Sequence, residues 1–269
     1  MSDNLPTENE SFNKFRPFAE MLVSLRFLTR LPVPFARTID APPLAQSMRF
    51  FGFAGAMIGA GQGLALWALQ AVHLPGFVVA TLTTMIGIIV TGALHEDGLA
   101  DSVDGVFGGQ TRERRLEIMR DSRIGTYGAS ALMLALLVRI AAYQALLGLP
   151  PASVVLLLAA AGAFSRAMVV DMMWATRPAR SDGLSVVAGR PGRNSALFAI
   201  ITAGALTLFA GSFIRADSGI IALAAAGCLT ALVRRLAMRL IGGQTGDICG
   251  AVQIVAELGM LVGFTATIN

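Results

Sequence analysis

Three aspartates at i, i+4 and i+7 are the residues of this chain best suited to chemistry: Asp97, Asp101 and Asp104, in the run HEDGLADSVDGVFGG at 95–109. On a helix they share roughly 60° of arc. Carboxylates this close repel one another unless a cation neutralises them. An oxygen-only donor set suits Mg²⁺, with Mn²⁺ as a substitute, and Mg²⁺ commonly completes its shell with substrate phosphates. The plainer reading is a solvated acidic face, but such faces interleave acids with Lys or Arg. Here no basic residue occurs between Arg49 and Arg112. Glu96 points about 100° away from the aspartate face. His95, just ahead of the cluster, reads equally as a substrate contact or as core packing.

A second set of groups could handle phosphate. The segment TRERRLEIMRDSRIGTY (111–127) offers Thr111 as a helix N-cap. Arg112, Arg115, Arg120 and Arg123 follow it, and Arg recognises phosphates bidentately. Anchoring to a membrane surface, with intrahelical pairs such as Glu117–Arg120, is enough to explain the first of these. It explains the run Arg120-Asp121-Ser122-Arg123 less well, because this run abuts an apolar stretch. Arg166 and Asp171 lie on one apolar run, and Arg180 and Asp182 follow in the next loop. In GGQTGDICGA (242–251), Asp247 stands at a helix start among glycines, where backbone amides could approach an anion. A small-residue packing interface accounts for the same glycines. Arg139, in the middle of an apolar run, needs a partner, for which Glu257 and Asp171 are the candidates.

The elements that must carry these residues are membrane helices. Of 269 residues, 55% are hydrophobic and only 14% charged, against about 25% charged in ordinary soluble domains. These values exclude disorder, and two cysteines exclude a disulfide scaffold. Apolar runs near 50–72, 75–94, 127–149, 152–173, 195–213, 219–233 and 248–267 predict an all-α polytopic membrane protein. About seven transmembrane helices are expected, the run at 219–233 being short for a span. Prolines 75, 150 and 151 mark tight helical hairpins. With the N-terminus in the cytoplasm, 18 of the 21 basic residues fall on the inner side and only Arg215 outside. The basic charge therefore signals membrane orientation rather than nucleic-acid binding. Residues 1–17 read as a flexible polar N-terminus without a cleaved signal peptide. Residues 18–269 form one helical domain with cytoplasmic active-site loops at about 95–126, 174–194 and 234–247. The stretch 18–35, with Arg26 and Arg30 one turn apart, predicts an amphipathic helix lying on the inner leaflet.

The run H-x-D-G-x-x-D-x-x-D-G at His95–Gly105, followed by R-D-S-R-x-G at Arg120–Gly125, resembles the cobalamin (5′-phosphate) synthase family. RFLTRLPVP at Arg26–Pro34 and TGDxxGA at Thr245–Ala251 are similar to that family too. The resemblance runs from about residue 20 to the C-terminus. It implies an inner-membrane transferase that joins adenosylcobinamide-GDP to α-ribazole, or its 5′-phosphate, and releases GMP with the help of Mg²⁺. Carried over by position, Asp97, Asp101 and Asp104 would bind the metal and the diphosphate, with Asp104 completing the site or acting as general base. Arg120 and Arg123 would hold the leaving GMP, and Asp247 would hold a second metal or orient the ribazole. His95, Asp121, Arg166 and Arg180 complete the expected substrate contacts. A homo-oligomer and a complex with other late-pathway enzymes are allowed by the analogy. A CDP-alcohol phosphotransferase would need Ala-Arg after its first Asp-Gly, whereas Ala100 here precedes Asp101. A prenyltransferase would need two Asp motifs of similar strength. A cation transporter would place its strongest acids at the bilayer midplane.

Overall fold

The computed structural model describes residues 16–33 and 41–268, so the expected flexible N-terminal tail lies largely outside the described residues. The architecture is all helical. The elements are α1 (Pro17–Leu28), α2 (Leu44–Ala71, opening with a tight turn), α3 (Gly76–Thr91), α4 (Leu94–Gly108), α5 (Arg112–Ile118), α6 (Thr126–Leu146), α7 (Pro151–Ala175), α8 (Leu184–Ala188), α9 (Arg193–Gly211), α10 (Ser218–Leu240) and α11 (Gly246–Thr265). Six of these are long and apolar enough to cross a membrane. The α3–α4 pair, bent by 90°, passes the same test only when the two are taken together, which brings the number to seven if the pair is one span.

The layers follow from burial. Helices α7 and α11 are the hub, with 89% and 78% of their apolar windows buried, whereas α6 and α10 keep only 22% and 17% buried. The exposed faces of α6 and α10 carry Met133, Leu134, Leu137 and Leu232, the surface that lipid would cover. Without a hydrophobic drive between helices in lipid, close backbone contact must hold them. Gly55 of α2 faces Gly162 of α7 so closely that a Cβ on Gly55 would lie 2.1 Å from the Gly162 carbonyl oxygen. Pro75 and Pro150 are the N-caps of α3 and α7, confirming the tight hairpins.

Several boundaries differ from the sequence expectation. The run at 219–233 extends to Leu240 and gives a 23-residue helix, because Arg234 is neutralised by Asp171 of α7 at 2.8 Å and does not stop it. The loop expected at 234–247 therefore shrinks to 241–245. The second span ends early: α3 has 16 residues, about 24 Å, short of the roughly 30 Å hydrocarbon core. It breaks where Gly92 and Ala93 both adopt left-handed backbone, with φ of 65° and 57°, and α4 leaves at 90°. Helix α1 ends at Leu28, and it docks by a polar stripe. Glu20 and Ser24 are fully buried, Glu20 pairing with Arg49 at 2.8 Å, and Ser24 donating to the Ser47 carbonyl at 2.8 Å. Phe18 stays 63% exposed. The expected leaflet-lying helix is thus bolted to the bundle through its polar side.

Candidate active site

Connectivity places the segments 92–125, 176–192 and 241–245 at one end of the bundle, and backbone contacts draw them together. Pro178 and Gln244 form an isolated parallel bridge, with Ala179 N–H donating to the Gln244 carbonyl at 2.8 Å and Gln244 N–H to that of Arg177 at 2.9 Å. Arg112 donates to the carbonyls of Ile241 (2.9 Å) and Ala179. Arg112, for which membrane anchoring is a sufficient reading of the sequence, is thus a staple across all three segments. Thr111 caps α5, accepting from Arg114 N–H at 3.2 Å. Glu117 pairs with Arg114 at 2.8 Å rather than with Arg120.

Helix α4 lies against the first turn of α11. The contact is glycine on glycine: a Cβ on Gly98 would stand 3.1 Å from the Gly250 Cα and 2.8 Å from the Asp247 carbonyl oxygen. This proximity brings the acid of the C-terminal motif to the aspartates of α4. Asp101 lies within electrostatic range of Asp97, Asp247 and Asp104, and of the Arg180 cation. Asp247 senses Asp97 in turn, receives a hydrogen bond from Thr245 Oγ1 at 3.1 Å, and lies 3.5 Å from Arg180 Nη2. Thr245 also caps α11, accepting from Ile248 N–H.

Asp104 stands apart from the expected trio. Its two carboxylate oxygens accept the backbone N–H groups of Gly125 (2.7 Å) and Gly128 (2.8 Å) at the start of α6. A buried anion at a helix N-terminus meets both orphan donors and the positive end of the dipole. The glycines are required because a Cβ at either would lie within 2.5 Å of an Asp104 oxygen. Asp104 thus holds α6 to α4, and Asp97 and Asp101 with Asp247 are the carboxylates left facing the open end.

Arg180 is the informative cation. Its side chain is only 13% exposed, and its Nε and Nη1 are buried without a hydrogen-bond partner among the described residues. Arg120 donates to both oxygens of Asp182 (2.6 and 2.8 Å), so that Asp182 links it to Arg180 at 3.9 Å. Arg123 is 87% exposed and bound to Asp121 at 2.6 Å, which holds the Asp121 carboxyl down at about 2. This second pair sits in the same loop but is not drawn into the acid cluster.

His95 is buried against Gly250. Arg166 lies deeper, in a network the sequence showed only in part. Glu257 forms ion pairs with Arg139 (Nε at 3.1 Å) and Arg166, whose Nη1 donates to it at 3.3 Å, and Arg139 Nη1 donates to Glu96 at 2.8 Å. Gln253 donates to Glu257 at 2.6 Å. Arg139 therefore takes Glu257 as its partner, as one of the two candidates allowed, and Asp171 goes to Arg234. Glu96 lies off the aspartate face, and that orientation sends it inward to Arg139. In the membrane interior such a balanced set avoids unpaired charge.

Among the described residues no three His, Cys, Asp or Glu side chains, as placed, stand close enough to hold a metal ion by themselves. The residues nonetheless fit a divalent cation that shares its shell with a substrate. The donors are all carboxylate oxygens, and Arg180 keeps unpaired N–H groups beside them, the complement of a phosphate.

Known proteins are similar to this chain over most of its length. Relatives named adenosylcobinamide-GDP ribazoletransferase occur in Azorhizobium caulinodans (43% identical, covering 92% of this chain and 96% of the relative) and Bradyrhizobium diazoefficiens (42%, covering 91% and 92%). A third, from Xanthobacter autotrophicus, is 41% identical over 91% of this chain and 94% of its own length. No solved structure matches the chain. The family model for cobalamin-5-phosphate synthase matches residues 20–265, spanning the aspartate helix, the arginine loops and the Thr245–Ala251 turn together. The chain belongs to the cobalamin-5-phosphate synthase family.

Proposed function

We propose that this protein transfers the adenosylcobinamide-phosphoryl group from adenosylcobinamide-GDP to α-ribazole or its 5′-phosphate, releasing GMP, with Mg²⁺ bound at the acid cluster. The observation that carries the reading is a buried, under-bonded Arg180 paired with Asp247 and within electrostatic range of Asp101, beside which Asp97 stands. Three carboxylates would repel a bare diphosphate, and one arginine cannot neutralise them. A divalent cation held by Asp97 and Asp247 would neutralise both partners and polarise the phosphoryl oxygens.

The residues then divide the work. Arg180 donates its free N–H groups to the diphosphate, fixing the phosphorus in line with the attacking oxygen. Arg120, tethered to Arg180 through Asp182, lies at the edge where the nucleotide half would leave. A ribose hydroxyl oxygen of the acceptor bonds to the phosphorus that carries the cobinamide. The bond from that same phosphorus to the bridging oxygen breaks, and the oxygen keeps the electron pair and leaves as part of GMP. The hydroxyl proton passes to Asp101, the central carboxylate of the group. Asp104 holds the frame through α6. The excess of basic residues at this end supports its facing the cytoplasm, where nucleotides are found.

The test is product formation by protein reconstituted in liposomes. Adenosylcobinamide-GDP, α-ribazole and Mg²⁺ should yield GMP and a cobalamin product in equal amounts, visible by mass spectrometry. Asp97→Ala should yield neither. Failure of the wild type on these substrates, with turnover of a CDP-alcohol donor or cation flux instead, would overturn the reading.

A further inference from the structure

We propose that the pocket formed by α1, the start of α2, α8 and the first turn of α11 binds the flat aromatic base of the nucleoside acceptor, with the Ser185 hydroxyl donating to the base's free ring nitrogen. This assignment rests on the function proposed above. The pocket holds about 440 Å³ of empty space, counted with its open mouth. Phe27, Met48, Phe51 and Met173 give it apolar walls. Phe27 and Phe51 are stacked at 5.6 Å with 17° between their planes, so two parallel rings stand beside the space. Aromatic walls of this kind favour a planar ring system.

Two polar side chains border it, Ser185 and His95. The Ser185 hydroxyl is buried and makes no hydrogen bond among the described residues. An unpaired buried hydroxyl is costly and uncommon, and a ligand acceptor would satisfy it. Gly246 and Gly250 also line the pocket, flanking Asp247 within one helical turn, and His95 stands two residues before Asp97. A group seated there therefore has the acid cluster at its rim.

The substrate pieces differ in what they ask of such a space. A corrin ring is far larger than the pocket. Guanine presents donors and acceptors around its whole edge, and two polar side chains would leave most of them unpaired. The base of a ribazole is a benzimidazole, apolar and bicyclic, with one in-plane nitrogen lone pair left after glycosylation. Of the three, this piece matches the apolar, aromatic lining and offers the single acceptor that one unpaired hydroxyl can satisfy. Its ribose would then emerge toward Asp247 and Asp101.

The experiment measures α-ribazole binding to the full-length, liposome-reconstituted protein by equilibrium dialysis, with adenosylcobinamide-GDP binding and turnover followed in parallel. Ser185→Ala should weaken α-ribazole binding about tenfold and leave adenosylcobinamide-GDP binding unchanged. Ala188→Phe, which fills the pocket, should abolish α-ribazole binding, and free benzimidazole should compete in the wild type while guanine does not. Wild-type α-ribazole affinity in both variants would overturn the pocket, even with turnover intact. If Ala188→Phe loses both ligands, Ser185→Ala decides: selective weakening supports the assignment and unchanged affinity overturns it. Absence of turnover in wild type that still binds α-ribazole in this pocket would instead overturn the functional reading.

Discussion

Asp104→Asn separates an anchor from a ligand. In the structure both Asp104 oxygens accept backbone N–H groups, from Gly125 at 2.7 Å and Gly128 at 2.8 Å, at the N-terminus of α6. Asparagine keeps one acceptor, presents an NH₂ group to the other N–H, and removes the charge. A hydrogen bond to a charged group contributes about 1.5–3 kcal/mol. The favourable placement of an anion at a partly buried helix start adds roughly 0.3–2 kcal/mol. The expected loss is about 2–4 kcal/mol, which is roughly 30- to 1000-fold in a local opening equilibrium. Hydrogen exchange at the Gly125 and Gly128 amides reads this directly in reconstituted protein. Asp97 is exposed and makes no side-chain hydrogen bond among the described residues, so Asp97→Asn should leave stability within about 0.5 kcal/mol while abolishing turnover. Wild-type amide protection in Asp104→Asn, together with lost turnover, would refute the anchoring role and return Asp104 to the ligand set.

Glu257→Gln leaves Arg139 and Arg166, both about 5% exposed, with Glu96 as their one remaining carboxylate. The cost should be about 3–5 kcal/mol, seen as a lowered unfolding midpoint in detergent. Arg180→Ala should raise KM for adenosylcobinamide-GDP about 10- to 100-fold by removing a charge-assisted contact, with KM for α-ribazole unchanged. Arg123→Ala should keep turnover within about twofold, because that guanidinium is turned to solvent on Asp121.

Much of this was legible in the residues. Apolar runs and proline punctuation give the helices, and the Asp97, Asp101 and Asp247 motifs name groups that meet in space. Three features were not legible, each for a physical reason. The helical periodicity of Asp104 is identical to that of its neighbours, and only the approach of α6 turns it toward amides. The break after Thr91 depends on two consecutive left-handed residues, one of them Ala93, a type that gives no turn signal. Helix α1 carries Glu20 and Ser24 among mostly apolar residues. Their burial follows from partners more than twenty residues away, Arg49 and Ser47. Glu96 is the member of the buried network least legible in the sequence; two arginines, Arg139 and Arg166, within apolar runs are the signal that Glu257 needs a second carboxylate beside it.

On the proposed function, Asp97 and Asp247 would hold a divalent cation shared with the donor's diphosphate, with Arg180 contacting the diphosphate from the other side. The most direct measurement is Mn²⁺ binding by electron paramagnetic resonance, with and without adenosylcobinamide-GDP. The wild type should bind Mn²⁺ tightly only when the donor is present, because its own carboxylates supply too few ligands. Asp97→Asn and Asp247→Asn should each lose that binding. Donor-dependent Mn²⁺ binding that persists in both variants would contradict the account.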